Sequence, residues 1–441
     1  MENLSASSPY IPNTDADREE MLRAIGVSSV QDLFGDIPPD YRNPPLNIPQ
    51  ALSELEVQQE MEALASENRH AYAGPCFLGA GAYRHFIPAT VQALVSRGEF
   101  LTAYTPYQPE VSQGTLQSAY DFQSLVCQLF DMDVANAGMY DGASSLAEGA
   151  LMACRVTRRY KVAYVDTLSP AYLDVIATYT ASQGIDLHPV SSVTSSSLEP
   201  DTACLVVQHP NFFGYLEDMA GLAQTAHDAG ALLVVSTDPT ALGMFTPPGS
   251  YGADIVTAEG QPLGIPVSFG GPYVGLFTCK TEYLRQMPGR IAGKTVDNQA
   301  RTAYVLTLQT REQHIRRERA TSNICTSEAL VGLMATVYMA TLGKQGLRQV
   351  AELCYQKAHY AASLIEKIPG YSLPIQGTFF QEFVVQCPRP PSEVNAGLLD
   401  QGIVGGMDVS DSVPNGLLLC VTEMNSRRES DSLAKALAEL A

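Results

Sequence analysis

Four short apolar segments, KVAYVDT (161–167), ACLVVQHP (203–210), ALLVVSTDP (231–239) and ADIVTAEG (253–260), follow one another, the first three separated by stretches with helical signals. Short apolar strands alternating with amphipathic helices fold into a mostly parallel sheet covered on both faces. Pro170, a favoured first helical residue, opens one connecting helix, with Ser169 as its expected cap. Another begins after Leu216 and stops near Gly230. In such a sheet, ligands sit just beyond the carboxyl ends of the strands. The glycine- and proline-rich stretch from Tyr251 to Gly275 begins with one of these strands and runs on into such a loop.

The rest of the chain frames this unit. Residues 1–110 read as a helical arm and interface loops, residues 111–325 as the large α/β domain, and residues 326–441 as long helices with a smaller α/β domain. Thr14 with Asp17, and Ser53 with Glu56, match helix-start capping patterns. The intervening DIPPDYRNPPLNIP cannot be helical through its prolines. This arm is expected to wrap a neighbour or its own core. The C-terminal part reads as two long helices over about 327–368, then strand FFQEFVVQC, a helix, strands near IVGGMDV and LLLCVTEM, and a terminal helix.

Several groups are candidates for chemistry. Asp141 to Ser145 (DGASS) lies where a strand gives way to a helix; Gly142 and Ser144 there suit a phosphate at the helix N-terminus, or simply a well-capped helix. Asp238 ends a strand, where its charge would hold a pyridinium nitrogen protonated or its carboxylate would cap the next turn. Tyr104, Thr105, Tyr107 and Gln108 sit in a loop dense in proline and tyrosine, the kind of segment that carries function or packs its rings inside. Arg311, Arg316, Arg317 and Arg319, with His314 and Asn323, form the one dense basic segment; it reads as a docking surface, or as a solvated helix face with an i,i+4 pair between Glu312 and Arg316.

The net charge of −20 argues against nucleic acid or an anionic membrane as partner. Nine scattered cysteines without a CxxC argue against a disulfide framework or zinc site and for a reducing, cytoplasmic setting. The start of the sequence carries no apolar signal core, and the longest apolar helical run, Ala329 to Leu342, is too short to span a bilayer.

In order and spacing, the DGASS turn, the His209-Pro210-Asn211 loop and Asp238 resemble pyridoxal-phosphate (PLP) enzymes of the aspartate-aminotransferase fold, fold type I. A Schiff-base lysine is then expected near residues 259–263. Those residues are Glu259, Gly260, Gln261, Pro262 and Leu263, and no lysine occurs between Lys161 and Lys280. Gln261, at the missing lysine's position, has no amine and cannot form an imine.

The motifs GAGAYRHFIP, YTPYQPEVSQG, NAGMYDGASSLAEGA, HPNFFGYLED, EGQPLGIPVSFGGPY, MPGRIAGKTVD and YVLTLQTREQHIRRERATSNICT make the resemblance more specific. They resemble the non-PLP subunit of the two-subunit glycine cleavage system P-protein over nearly the whole chain. That resemblance implies a PLP-bearing homologous partner, two copies of each subunit, glycine as substrate and the lipoylated H-protein as acceptor. It implies that this chain binds no PLP covalently, completes the dimer and lends Tyr104 to Gln108 to the partner's site. Two other readings stay open on the residues alone: a self-sufficient PLP enzyme using a displaced lysine such as Lys280 or Lys294, and a non-catalytic module with a degenerate anion pocket.

Overall fold

The computed structural model describes residues 12–42, 44–68, 70–191, 198–324 and 327–441. The chain divides into two compact units, one ending at residue 69 and one from His70 to Ala441.

The first unit holds helices α1 (Asp15–Ile25) and α2 (Glu54–Ser66) with short 3-10 turns between them. Both helices start in capping boxes, Thr14 with Asp17 and Ser53 with Glu56, as the sequence patterns require. Neither helix buries a residue, and Leu55, Met61 and Leu64 are exposed.

In the second unit the helices are α3 (Ala89–Val95), α4 (Gly98–Leu101), α5 (Gln113–Phe130), α6 (Gly142–Thr157), α7 (Pro170–Thr180), α8 (Met219–Asp228), α9 (Gln313–Arg316), α10 (Ala329–Ile365), α11 (Pro391–Asp400) and α12 (Arg427–Glu439). The strands are β1 (Val134–Ala135), β2 (Lys161–Val165), β3 (Asp186–Val190), β4 (Thr202–His209), β5 (Leu232–Thr237), β6 (Ile255–Glu259), β7 (Gly275–Cys279), β8 (Ile291–Val296), β9 (Thr302–Thr307), β10 (Glu382–Gln386), β11 (Met407–Asp408) and β12 (Gly416–Cys420).

The main sheet has the order β1-β7-β6-β5-β4-β2-β3; the five strands from β6 to β3 are parallel, and β7 and β1 close one edge antiparallel. Every residue of β5 is buried, as expected of a central strand covered on both faces by helices. Valines and leucines of β4 and β5 supply both cores, one against α5, α8 and α10 and one against α6 and α7. A smaller antiparallel sheet, β10-β12-β11, packs its own core beneath α11 and α12. The fold is α/β, with the mostly parallel sheet and smaller C-terminal unit that the sequence implies.

Two local readings are corrected. Ser169 precedes α7 but makes no side-chain capping bond; Pro170 starts that helix without one. The two C-terminal helices meet without a loop and form α10, broken at Gly343, whose φ of 59° and ψ of −174° interrupt the helical path. Among the described residues, no helix is long and apolar enough to cross a membrane.

Candidate functional site

Beyond the carboxyl ends of β4, β5 and β6 lies a cavity of about 50 Å³. Its walls come from those strand ends (Asn211, Asp238, Glu259), from the loop at Ala80 to Tyr83, from Tyr172 on α7, and from Gln381 and Glu382 beside the small sheet. The position follows from sheet topology; the chemistry follows from which side chains the strand ends present.

That chemistry is acidic. Glu382 accepts from the Ala80 amide (2.6 Å) and the Tyr83 hydroxyl (2.7 Å). Burial, assisted by the Asp238 charge, pushes its carboxyl up to about 7. Glu259 accepts from the Gly142 amide (2.9 Å) and the Gln261 amide (3.0 Å). Burial, reinforced by Asp141, pushes it up to about 7 as well, against the pull of those amides. Asp238 accepts from the Thr240 amide and from Gln381 Nε2, each at 2.8 Å. Its carboxyl is also raised by burial, with His85 opposing. Among the described residues, no lysine or arginine lines the cavity.

Of the residues singled out from sequence, Gly142, Ser144 and Asp238 converge on this region. Asp141 caps α6 by accepting from the Ser144 amide at 2.7 Å. Gln261 is 1% exposed and does not line the cavity. Its side chain accepts from the Tyr83 amide (2.7 Å) and donates to the Tyr83 and Ile265 carbonyls (both 2.8 Å). Gln261 thus fastens the loop at Tyr83 to the sheet.

The displaced lysines lie elsewhere. Lys280 follows β7, which runs antiparallel to β6 with Cys279 opposite Ile255. It therefore sits at the amino end of β6, bonded to Asp254, at the opposite end of that strand from the cavity. Lys294 is exposed on the β8–β9 ribbon.

Pyridoxal phosphate does not fit the residues present. The cavity has room for a few waters at roughly 10–15 Å³ each, the walls offer no amine, and two of the amides at the N-terminus of α6 are already bonded to carboxylates of the chain itself.

The tyrosine loop and the basic segment form a second region, one the sequence did not join. Tyr104 and Thr105 line an apolar cavity of about 240 Å³ with Phe100, Phe122, Leu333 and Arg290. The Arg290 guanidinium lies over the Tyr107 ring, 5.3 Å from its centroid, and donates to its hydroxyl at 3.2 Å. His314 packs against the same ring at 5.6 Å. Glu312 faces Arg290 (3.6 Å) and His314 (3.7 Å), not Arg316, so the expected i,i+4 ion pair is not formed. Arg311 is no docking group: its guanidinium donates to the Met287, Gly289 and Leu308 carbonyls. Arg316, Arg317, Arg319, Asn323 and Gln108 are exposed.

Sequence reasoning missed Glu259, Gln381, Glu382 and Arg290. For Glu382 a signal existed, since a carboxylate inside the apolar run FFQEFVVQC requires a buried partner.

The model of the glycine cleavage system P-protein family matches residues 8–437. A probable glycine dehydrogenase (decarboxylating) subunit 1 of Thermomicrobium roseum is 51% identical over 443 residues, covering 98% of this chain and 99% of that protein. The protein of the same name from Chlorobium limicola is 51% identical over 442 residues, covering 98% and 100%. Among solved structures, a glycine decarboxylase (P-protein) of the glycine cleavage system, in inhibitor-bound form, superposes with a TM-score of 0.93 at 41% identity, covering 98% of this chain and 100% of that one. A sphingosine-1-phosphate lyase of Burkholderia pseudomallei, at 15% identity and a TM-score of 0.65 over 91% of this chain and 94% of that one, shares the fold. Topology, the site at the strand ends and likeness over nearly the whole length agree: the chain belongs to the glycine cleavage system P-protein family.

Proposed function

We propose that this chain is one subunit of glycine dehydrogenase (decarboxylating), working with a homologous partner that carries the pyridoxal phosphate. Together they decarboxylate glycine and pass the aminomethyl group to the lipoyl arm of the H-protein. Two copies of each subunit make up the assembly, and it acts in the cytoplasm. The observation that carries this reading is the combination of full-length likeness to subunit 1 proteins with a cavity that holds three carboxylates and no amine.

This chain's part is to complete the dimer and shape the partner's site. Tyr107, clamped between Arg290 and His314, holds the loop from Tyr104 to Gln108 in one position, and Tyr104 is 84% exposed at its tip. That combination suits a loop lent to a neighbour. The exposed arginines at 316, 317 and 319, with Asn323, serve as a docking edge. The apolar side chains that α1 and α2 leave exposed support an arm that wraps the partner. On this reading residues 1–110 serve as arm and interface loops, 111–325 as the scaffold domain, and 326–441 as the long helices and small domain.

Reconstitution tests the reading. The purified chain should be colourless and inactive. Mixed with its PLP-bearing homologue and lipoylated H-protein, it should switch on glycine-dependent carbon dioxide exchange. A yellow chain that decarboxylates glycine alone would overturn the assignment.

A further inference from the structure

The geometry points to Glu259 as a built-in occupant of the phosphate position: the chain closes its own anion cup at the N-terminus of α6 with a side chain. Helix N-termini present unpaired amides and a partial positive charge, which is why they hold phosphates. Here the Gly142 amide donates to Glu259 Oε2 at 2.9 Å, and the Ser144 amide donates to Asp141 Oδ1 at 2.7 Å. The other Glu259 oxygen accepts from the Gln261 amide at 3.0 Å.

The backbone closes in as well. A Cβ added at Gly142 would lie 2.6 Å from the Tyr172 hydroxyl, 2.7 Å from the Glu259 amide nitrogen and 2.9 Å from its Cα. Glycine is needed here because β6 and α7 press on the first turn of α6, and the same crowding leaves no gap for a phosphate.

The surroundings point the same way. Asp141 beside Glu259, and Asp238 in the wall of the same cavity, place further carboxyls where a phosphate would enter. Among the described residues lining the cavity, one buried polar atom has no partner, and it is an acceptor, Gln381 Oε1. Gln381 is 2% exposed, and the carboxylate of Asp238 fixes which end of its amide is the donor. The buried orphan in the cavity wall thus asks for a donor, which a phosphate cannot supply once fully ionised.

The inference rests on the reading that this chain carries no cofactor of its own, and it goes further: it names the side chain that replaces one. Glu259→Ala should vacate the seat on Gly142, so the variant should unfold at a lower temperature. Sodium formate, and more weakly inorganic phosphate, should then raise its Tm by a few degrees in a saturable way. Sodium chloride at matched ionic strength should not, and the wild-type chain should respond to none of them.

An observation on the unmodified chain covers the case in which the variant does not fold. The Gly142 amide resonance should follow the titration of the adjacent carboxyl between pH 6 and 8, where Asp141, Tyr172 and the Gln261 amide also face it, with Asp238 beyond Tyr172. It should not move on adding inorganic phosphate. A folded Glu259→Ala chain indifferent to formate overturns the inference, as does a wild-type Gly142 amide that ignores pH and shifts with phosphate. A wild-type chain that turns yellow with pyridoxal phosphate through an imine instead sinks the underlying reading, so the two failures are distinguishable.

Discussion

Gln261 and Tyr83 hold each other by a matched pair of hydrogen bonds, amide oxygen to backbone N–H at 2.7 Å and amide nitrogen to backbone carbonyl at 2.8 Å. The position that resemblance assigns to a Schiff-base lysine is therefore a buried structural joint, and a lysine placed there is expected to break the joint rather than form an imine. An ammonium cannot accept the Tyr83 N–H, and burying it uncompensated is costly. Gln261→Lys is expected to lose roughly 2–4 kcal/mol of stability and to show no imine band with pyridoxal phosphate. Denaturant unfolding and a visible spectrum check both.

Glu382 couples stability to pH. Its carboxyl is raised to about 7 in the folded chain, above the ordinary 4.5, so the native state holds a proton that the unfolded state releases. Stability from this group is present below pH 4.5 and is lost as pH rises through about 7. Glu382→Gln mimics the protonated form. It should raise stability at pH 8 by on the order of 2 kcal/mol, seen as a higher Tm, and change little at pH 4. Melting curves across that range would show it.

Glu423 behaves in the opposite sense. Burial alone would raise its carboxyl, but the His85 charge, the His85 hydrogen bond at 2.7 Å and the Phe86 amide at 2.6 Å outweigh burial and hold it below 4.5. Its contribution is present above the unfolded value and is lost as acid protonates it in the fold. Glu423→Gln should cost roughly 2–4 kcal/mol at pH 7 and flatten the stability profile below pH 4.5. The joint ties the segment at His85 to the chain just after β12, so denaturant unfolding is the measurement.

Tyr107→Ala removes the ring on which Arg290 and His314 converge. If the loop from Tyr104 to Gln108 serves the partner's site, glycine-dependent exchange by the reconstituted enzyme should fall roughly ten- to a hundredfold, the scale of a small misplacement. The chain's own Tm should barely move, since Tyr107 is half exposed.

Reversing Arg316, Arg317 and Arg319 to glutamate tests the docking edge. Exposed charges at an interface rim act mainly on association rate and its salt dependence. The triple variant should assemble more slowly with its partner, with the deficit shrinking as salt rises. Stopped-flow association at two ionic strengths separates this from an idle surface, which would show no change.

Much of this architecture was legible because it is local. The apolar runs gave β2, β4, β5 and β6, and the capping boxes at Thr14 and Ser53 start their helices where the patterns put them. Asp238 and Gly142 could be singled out because strand ends and helix starts have chemical signatures. What escaped was long-range. Glu259 meets Gly142 across more than a hundred residues, and Glu382 meets Tyr83 across three hundred. No periodicity reports such pairings. Arg311 and Glu312 were hard to read for a related reason: an arginine-rich stretch looks uniformly solvated until the fold buries Glu312 and turns Arg311 onto the carbonyls of the Met287 to Arg290 turn.

The self-filled seat at Gly142 also bears on how the chain survives in a cell. An enzyme that binds a vitamin-derived cofactor gains stability from it by mass action, so its resistance to heat and proteolysis rises and falls with supply. A chain whose helix start is satisfied by its own glutamate is spared that dependence. It should reach full stability in starved and replete cells alike, and on the proposed reading it then stands ready as a fixed template for its partner.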